Sequence, residues 1–270
     1  MNGWLSPGHW RSALREPGLR LLLASVLVAV AALSSVAFFA DRVERALLLQ
    51  GAALMAADLV VEQGERIPQS WSDQAAQLGL RSARMVSFPS VIIANERPVL
   101  VQVKAVEGAY PLRGRLRIDT PAGEVGRAPA AGEAWLEDRL RSRLGATIGA
   151  TAIGLGEVRL SAAGIVIDEP DRGGNLFQLA PRLMVSYADA LGSGLLGPAS
   201  RVKYRFLVAG DTQQLGAMRA WLSTRLKAGS GIADLENARP ELRTALERAR
   251  RFLSLAALCA SLLAGVAILL

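Results

Sequence analysis

Histidine and cysteine, two residue types that often ligate metals or act as nucleophiles, are almost missing from this sequence of 270 residues. Cys259 is the only cysteine, so the chain can form no internal disulfide and no thiolate metal site. His9 is the only histidine and lies near Trp4 and Trp10, where a place at a membrane interface fits better than a ligand or catalytic role. A cysteine-free middle region is compatible with the periplasm and with the cytosol.

Sequence motifs of several large enzyme classes are absent as well. No Gly-Lys pair occurs, so there is no P-loop, and nucleotide hydrolysis of that kind is excluded. There is also no HExxH, no GxSxG and no Cys/His cluster. We therefore expect a protein that is not an enzyme, and we predict no catalytic, cofactor-binding or metal-binding residue and no cofactor.

The charge balance is basic, with 31 Lys and Arg against 24 Asp and Glu and a formal net charge of +7. Basic proteins often bind nucleic acid, but here the basic residues do not gather with aromatic residues on one predicted face. Membrane headgroups explain their placement more simply, because many flank two apolar blocks. We expect a lipid bilayer and no nucleic acid among the partners. The flanking residues are Arg11, Arg15, Arg20, Arg248, Arg250 and Arg251.

The first apolar block, residues 21–40, contains no charge, no proline and no glycine. Twenty helical residues span roughly 30 Å, the thickness of a hydrocarbon core. The run is too long for a typical signal-peptide core, and Phe38-Phe39-Ala40 is a poor cleavage site. The block therefore predicts a first transmembrane helix, preceded by a short lead at residues 1–20.

The second apolar block, residues 252–270, has nineteen residues without charge and predicts a second transmembrane helix. Helical spacing over 41–57 and 239–251 predicts a stalk that continues each span. We expect the stalks to lie side by side and to move the intervening domain as a rigid lever. The chain stops at Leu270 with no polar residue beyond the span. We expect the N-terminal part of a longer membrane protein, or a truncated gene model.

Residues 58–238 have ordinary soluble composition and predict a mixed α/β domain that is long enough to bury a core. Alternation of apolar and polar residues is clearest at 99–106, and Pro89 indicates an edge or break in the strand before it. Strands are predicted at 58–62, 82–95, 99–106, 115–118, 133–136, 182–185 and 201–208, with three more separated by glycines within 147–168. Helices are predicted at 72–78, 137–144 and 211–227, and a loop at 121–132. The helix at 211–227 is amphipathic, with an apolar face formed by Leu215, Met218, Trp221, Leu222 and Leu226.

Two local patterns resemble binding motifs. Gly192 to Gly197 fits GxGxxG, but a strand follows instead of the helix that a dinucleotide site needs, so a flexible loop is favoured. Asp168, Glu169 and Asp171 form an acidic turn whose carboxylates could in principle hold Ca²⁺. Because the spacing of a known calcium loop is missing, a solvated turn is favoured there.

The arginines do not decide the membrane topology. Arg11, Arg15 and Arg20 before the first span favour a cytoplasmic N-terminus under the positive-inside rule. A similar group of arginines follows the first span or precedes the second span. Under the same rule, these arginines would place the large domain inside the cell. That group consists of Arg42, Arg45, Arg243, Arg248, Arg250 and Arg251.

The chain resembles the FtsX-like family of ABC transporter permeases in two respects. It has the same order of a span, a large mixed domain and a helix that enters a second span, and it shares several local sequence strings. These permeases carry a MacB-type periplasmic core domain, and the likeness is greatest to the large permeases of the YbbP kind. The strings that carry the resemblance are Val103-Lys104-Ala105-Val106, Tyr110-Pro111-Leu112-Arg113-Gly114, Gly132-Glu133-Ala134-Trp135-Leu136, Glu169-Pro170-Asp171, Leu179-Ala180-Pro181-Arg182-Leu183-Met184, residues 197–205 and Arg251-Phe252-Leu253.

The resemblance implies an α+β architecture in which two transmembrane helices with helical stalks flank a mixed α/β extracytoplasmic domain, in the bacterial inner membrane with a cytoplasmic N-terminus. It also implies a separate ABC-type ATPase subunit, whose dimer closure would be transmitted to the periplasmic domain for export or extraction of a substrate. A lipid or other hydrophobic substrate and a periplasmic partner protein are options. The segment that would contact the ATPase lies beyond Leu270.

Two other functions compete with this one. A two-span sensor or adhesion domain would need a natural stop at Leu270. A membrane-bound enzyme would need a polar catalytic cluster in the middle domain, which the near absence of histidine and cysteine disfavours.

Overall fold

The structure of the chain is a computed structural model that describes residues 51–53, 55–172, 180–197, 202–227 and 230–234. Single positions outside these ranges are also described, and all are helical: Arg20, Leu27, Val30, Ala31, Ser34, Ser35, Phe38, Phe39, Asp41, Arg42, Ala46, Arg248, Arg251 and Leu255. The chain divides into one unit of residues 1–47 with 239–270 and a second unit of residues 48–238.

Most of the predicted transmembrane and stalk segments lie outside the described residues. None of the helices among the described residues combines the length and the apolar character that a membrane crossing requires. The described positions Asp41, Arg42, Ala46, residues 51–53 and Met55 are helical. The two spans, both stalks, the domain boundaries and the side-by-side packing of the stalks stay predictions.

From Leu59 to Asp234 the described residues form eleven strands in one sheet, together with four α-helices and one 3-10 turn. The strands are β1 (Leu59–Gln63), β2 (Arg81–Ala94), β3 (Arg97–Val106), β4 (Arg117–Thr120), β5 (Gly123–Val125), β6 (Glu133–Leu136), β7 (Ala152–Leu155), β8 (Val158–Asp168), β9 (Arg182–Ser186), β10 (Lys203–Ala209) and β11 (Gly231–Asp234). The helices are α1 (Gln69–Gln77), α2 (Asp138–Leu144), α3 (Tyr187–Gly192) and α4 (Thr212–Ser223), and the 3-10 turn is Pro170–Arg172.

Six strands close into a ring in the order β2, β3, β9, β6, β8 and β7. The ring closes because β7 pairs with β8 along its length and with β2 through Ile93 and Gly154. Pairing is parallel for β3 with β9 and for β6 with β8, and antiparallel elsewhere in the ring. Strands β10, β1 and β11 extend the sheet from the first half of β2, and β4 and β5 extend it from β8.

Alternation along the ring strands separates two apolar clusters. Phe88 on β2 and Val103 on β3 point into the ring, where they belong to a cluster that also takes in buried residues of all four helices, such as Trp71 of α1. Trp135 on β6 and Met184 on β9 point outward into a second cluster. Because side chains alternate along each strand, the same strands line both clusters, and the sheet separates one cluster from the other.

The prediction of a mixed α/β domain is confirmed, and most predicted strands and helices match observed ones. Pro89 pairs with Gln102 on β3, just past the point where β2 loses its other partner β10 after Ser87. The expectation of an edge at Pro89 is therefore confirmed, because a residue without an N–H fits where no ladder bond is needed. Met218 and Leu222 of α4 are buried, as the helical spacing predicts.

Two predictions for single elements are wrong, and helix α3 and strand β11 are not among the predicted elements. Residues 121–132 are not all loop, since Gly123–Val125 pairs with β4 in a hairpin. Helix α3 was not predicted, because six residues are too few to show a period. Its first turn is fixed by Ser186, whose hydroxyl accepts a hydrogen bond from Asp189 N–H.

The second wrong prediction concerns Gly164, which was expected to separate two strands of a meander. It lies inside the continuous strand β8, at a place where the outer layer packs very closely. A Cβ on Gly164 would lie 2.7 Å from Ile118 Cγ2 and 3.0 Å from Trp135 Cε3. The glycine is therefore needed for close packing and does not indicate a turn.

Candidate functional site

A buried cluster of five polar side chains lies on the outer face of the ring, and we call it the ion cluster: Lys104, Tyr110, Glu169, Asp171 and Arg182. Lys104 Nζ donates to Glu169 Oε1 at 2.5 Å, to Tyr110 Oη at 2.7 Å and to Asp171 Oδ1. Tyr110 Oη also donates to Asp171 Oδ1. The Lys104 side chain is 4% exposed and that of Glu169 is 0% exposed, so this is an ion pair removed from water.

Arg182 completes the charge balance of the ion cluster. Its Nη1 donates to Glu169 Oε2 at 2.6 Å, so both oxygens of that buried carboxylate are paired. Two cations thus face two carboxylates. The backbone N–H of Arg182 donates to Glu137 Oε2 at 3.0 Å, and Glu137 also pairs with Arg172 Nη2 at 2.9 Å. These bonds link the ion cluster to the beginning of α2.

Burial and the neighbouring charges act on the pKa values of the ion cluster. Burial is the largest effect on Asp171 and acts to raise its pKa, but the charge and hydrogen bond of Lys104, with smaller help from Tyr110 and Arg182, leave that pKa lowered. Burial, followed by the nearby carboxylates Asp171 and Glu169, raises the pKa of Tyr110 well above its usual value. The tyrosine therefore stays a neutral donor, and Asp171 stays a carboxylate at neutral pH.

Four separate parts of the chain bring these groups together, and one of them is the loop that contributes Tyr110. Lys104 lies near the end of β3, where the alternation places it outward, between Gln102 and Val106. Glu169 and Asp171 belong to the turn that follows β8, and Arg182 begins β9, which pairs in parallel with β3. A buried lysine is costly unless it is paired, and here the turn supplies both of the carboxylates that pair with it.

The loop 110–114 joins the ion cluster to the end of the helix that leads into the domain. The N–H groups of Leu112 and Arg113 both donate to Ala56 O at 3.0 Å. The Arg113 guanidinium pairs with Asp58 at 2.7 Å, and the same carboxylate accepts the Gly210 N–H at 3.1 Å. Ala56, just after the helical residue Met55, is therefore tied through this loop to Tyr110 in the ion cluster.

The sequence expectation for the acidic turn is wrong. Asp168 is exposed, but Glu169 and Asp171 are not a solvated turn, because their carboxylates are buried against Lys104. An ammonium group, rather than Ca²⁺, supplies the positive charge at these two carboxylates. Among the residues that the structure describes, no three histidine, cysteine, aspartate or glutamate side chains are placed to hold a metal ion.

The glycine-rich segment 192–197 closes α3 and is not followed by a helix among the described residues. This agrees with a loop rather than a dinucleotide site. Ser193 within it is 1% exposed, and its carbonyl accepts the Glu157 N–H at 3.0 Å. The segment is thus held against the turn between β7 and β8.

The ion cluster was missed as a site, although its residues are present in the strings that carry the family resemblance. Lys104, Tyr110, Glu169 with Asp171, and Arg182 each fall in a different one of those strings. Their common place in space was not visible from the sequence, because Lys104 and Glu169 are 65 residues apart. The available signal was a lysine inside the most regular strand.

The ion cluster predicts a pH dependence of stability at acid pH. A carboxylate whose pKa is lowered by folding stabilises the fold above its unfolded pKa, and this stabilisation is lost as the pH falls through the folded pKa. We therefore expect the free energy of unfolding to fall as the pH drops below the usual value of 3.8 for Asp171. Urea unfolding of the wild-type chain and of Asp171→Asn, compared from pH 7 to pH 3, measures the effect.

Asp171→Asn should be less stable at pH 7, since it leaves Lys104 with one carboxylate fewer, and its stability should depend less on pH in this range. Equal acid slopes in both proteins would contradict the assignment to Asp171. Arg182 and Glu169 face the same group and are unchanged in both proteins.

No protein-family model matches the chain. The chain is 36% identical over 259 residues to an uncharacterised ABC transporter permease, YbbP, of Escherichia coli strain K12. This alignment covers 96% of the present chain and 32% of that permease, so the chain spans about a third of the length of the relative it matches. The resemblance predicted from the sequence strings is thereby confirmed.

Two solved structures show a partly similar backbone at low sequence identity. The periplasmic region of MacB from Actinobacillus actinomycetemcomitans has a TM-score of 0.47 at 10% identity and covers 70% of this chain and 95% of its own. The extracellular domain of the transporter YknZ from Gram-positive bacteria has a TM-score of 0.43 at 10% identity and covers 65% of this chain and 100% of its own.

Proposed function

We infer that this chain is a segment of an FtsX-like ABC transporter permease of the YbbP kind, and that it transmits motion from membrane helices to an extracytoplasmic domain. The observation that carries this proposal is the similarity to the YbbP permease over 96% of the chain. ATP hydrolysis would be supplied by a separate ATPase subunit, and the chain itself would not be an enzyme. The substrate would be exported or extracted, and a lipid or another hydrophobic molecule is the class that we propose.

The contacts at the entrance of the domain support a role in transmission. Movement of residues 51–56 would pull on the 110–114 loop, because Ala56 O accepts two of its N–H groups. The loop would pass the displacement to the ion cluster through Tyr110, and from there to β3 and β9 of the ring. Each of these connections is a hydrogen bond or an ion pair between ordered groups, so displacement would not be lost in a flexible linker.

The described positions of the first predicted span support a membrane location. Leu27, Val30, Phe38 and Phe39 are helical, and each is more than half exposed, from 57% to 73%. Large apolar side chains exposed on a helix are costly in water and stable in hydrocarbon. We propose an inner-membrane protein with a periplasmic main domain, in which residues 21–40 and 252–270 cross the bilayer.

A cysteine-labelling experiment tests two things together: on which side of the membrane the domain lies, and whether its motion is coupled to ATP. Ser193 is buried and unsuited to labelling, but Ser223 at the end of α4 is exposed. In the full-length permease with Cys259→Ser, we expect Ser223→Cys to react with a membrane-impermeant maleimide in spheroplasts. Reaction only in inverted vesicles would contradict a periplasmic domain.

The same variant tests the link to ATP. The full-length permease should co-purify with its ATPase subunit, and the maleimide rate at Ser223→Cys should differ between the nucleotide-free and the ATP-bound complex. An ATPase that does not co-purify would contradict membership in a transporter, whichever side the cysteine occupies.

A further inference from the structure

The helix that leads into the domain, which we call the incoming helix, is followed by a left-handed residue. Residues 51–53 and Met55 are helical, and Ala56 has a φ of +58°. A residue with a side chain takes this conformation at a cost, because its Cβ comes too close to the next carbonyl oxygen. Helices that end in this way usually have glycine there. The turn at residues 56–58, which we call the entry turn, is therefore strained at Ala56.

Ala56 differs from the other described residues with a positive φ. Apart from glycines, these are Asn95 and Glu96, with φ values of +48° and +59°. They form the two-residue turn between β2 and β3, and the common tight hairpin turn requires a positive φ at both of its central residues. No hairpin geometry imposes this conformation on Ala56, so its cause must be the contacts that the entry turn makes.

The amino-acid sequence around the entry turn favours a helix. Residues 52–57 read Ala-Ala-Leu-Met-Ala-Ala, and these three residue types are among the strongest helix formers. The helix predicted over 41–57 accordingly continues past Met55, the last helical residue before the turn. A strained backbone that also departs from its local preference is typical of a functional site, because the surrounding structure has to hold it in place.

Contacts with two other parts of the domain hold the entry turn in the observed conformation. Ala56 O accepts the N–H groups of Leu112 and Arg113, both at 3.0 Å. Asp58 N–H donates to Val208 O at 3.0 Å, and the Asp58 carboxylate pairs with Arg113. The Ala56 side chain is 0% exposed and belongs to the second apolar cluster. These contacts, rather than local preference, place Ala56 in the left-handed region.

The same residues can form a second arrangement. If Ala56 took right-handed helical angles, the N–H groups of Ala57 and Asp58 would donate to the carbonyl groups four residues earlier. The incoming helix would gain about half a turn, and the strain at Ala56 would be relieved. This arrangement is the one that the local sequence prefers.

The second arrangement breaks the bonds to the 110–114 loop. The Ala56 carbonyl would align with the helix axis and would leave the N–H groups of Leu112 and Arg113. Asp58 N–H would leave Val208 O. The helical bonds gained and the strain relieved offset part of this loss, so the two arrangements differ less in free energy than the lost bonds alone would require.

We propose that the entry turn is a two-state switch that connects the incoming helix to the 110–114 loop or disconnects it. In the latched state, which the structure shows, the helix ends at Met55 and Ala56 O holds the loop. In the released state the helix continues through residue 57 and the two bonds to the loop are broken. The switch deepens the proposed function and rests on it, since it regulates whether movement of the incoming helix reaches the ion cluster.

Hydrogen exchange of the Leu112 and Arg113 amides measures the released state, because both amides keep their acceptor in the latched state. The full-length permease in complex with its ATPase is exchanged without nucleotide, and mass spectrometry with fragmentation resolves the two amides. Glycine at residue 56 takes the left-handed backbone without strain and weakens the helix. We therefore expect Ala56→Gly to slow exchange at both amides about fivefold relative to the wild-type protein.

Ala52→Gly is the matched control. Ala52 is also buried, at 3% exposed, but it is helical in the observed state and stays helical in the released one. Glycine there removes a methyl group without relieving strain, so exchange at the two loop amides should not slow. Exchange that is unchanged or faster in Ala56→Gly, or that slows equally in both variants, would overturn the switch.

Addition of ATP separates the switch from the proposed function. In the wild-type complex, ATP should change the exchange rate at Leu112 and Arg113, and the change should be smaller in Ala56→Gly. If Ala56→Gly slows exchange but ATP has no effect on the wild-type complex, the switch stands and the proposed transmission is contradicted. An ATPase that does not co-purify contradicts the transporter assignment, whatever the exchange rates are.

Discussion

Replacing Lys104 by methionine is expected to lower the free energy of unfolding by about 3–5 kcal/mol, the largest stability effect that we predict for one substitution. The change leaves Glu169 and Asp171 without the cation that they share, and their side chains are only 0% and 7% exposed. A buried carboxylate without a counter-charge must be desolvated or protonated, and both are costly. Urea unfolding of the full chain, followed by hydrogen exchange of peptides from β3 and β9, measures the loss.

Two comparisons separate the ion cluster from a general effect of losing a lysine. Lys203 pairs with Glu62 in a sheet strand, but its side chain is 65% exposed. Lys203→Met should therefore cost at most about 1 kcal/mol. The double variant Lys104→Met with Asp171→Asn removes one charge of each sign and leaves Arg182 paired with Glu169.

We expect this double variant to recover more than half of the stability lost in Lys104→Met. Removing both members of a buried pair is less costly than removing one, because no charge is left unpaired. Equal losses in Lys104→Met and Lys203→Met would show that the ion cluster contributes little to stability.

Replacing Gly114 by alanine is expected to destabilise the contact between the 110–114 loop and the end of the incoming helix. Gly114 has a φ of +78°, and a Cβ there would lie 2.7 Å from Pro170 Cβ and 3.0 Å from Ala53 O. The left-handed backbone costs roughly 1–2 kcal/mol for a residue with a side chain. Forcing a methyl group into this packed space costs about 1–3 kcal/mol more.

Gly132 provides a control with the same backbone and no contact. Its φ is +81°, and a Cβ there would meet nothing within 4 Å. Gly132→Ala should therefore show only the backbone cost, and the difference between the two variants isolates the close packing at Gly114. If both variants lose the same stability, the packing against Pro170 and Ala53 has no energetic role.

The same pair of variants tests the proposed transmission. In the complex with its ATPase, Gly114→Ala should reduce the ATP-dependent change in maleimide rate at Ser223→Cys, because the loop can no longer sit closely on Ala53. Gly132→Ala should leave that change intact. An unchanged ATP response in Gly114→Ala would show that motion does not pass through this loop.

Local sequence patterns predicted the regular secondary structure of the fold. The alternation in β3 and the helical spacing of Met218 and Leu222 in α4 can be read from the sequence. The position of a residue along a strand or a helix determines the face on which its side chain lies. Gly164 was misread for a related reason. A glycine within a strand can indicate a turn or a close approach, and only the position of Ile118 and Trp135 distinguishes the two.

The sequence by itself determined that this chain has two long apolar blocks, no P-loop, a mixed α/β middle and a likeness to YbbP-type permeases. These features depend on composition, on period and on strings of neighbouring residues. The tertiary structure alone decided that Lys104 meets Glu169 and Asp171, 65 and 67 residues away, and that the acidic turn is buried. The physical reason is that a charge is stable in the interior only where a partner faces it, and the closing of the ring of strands puts that partner in place.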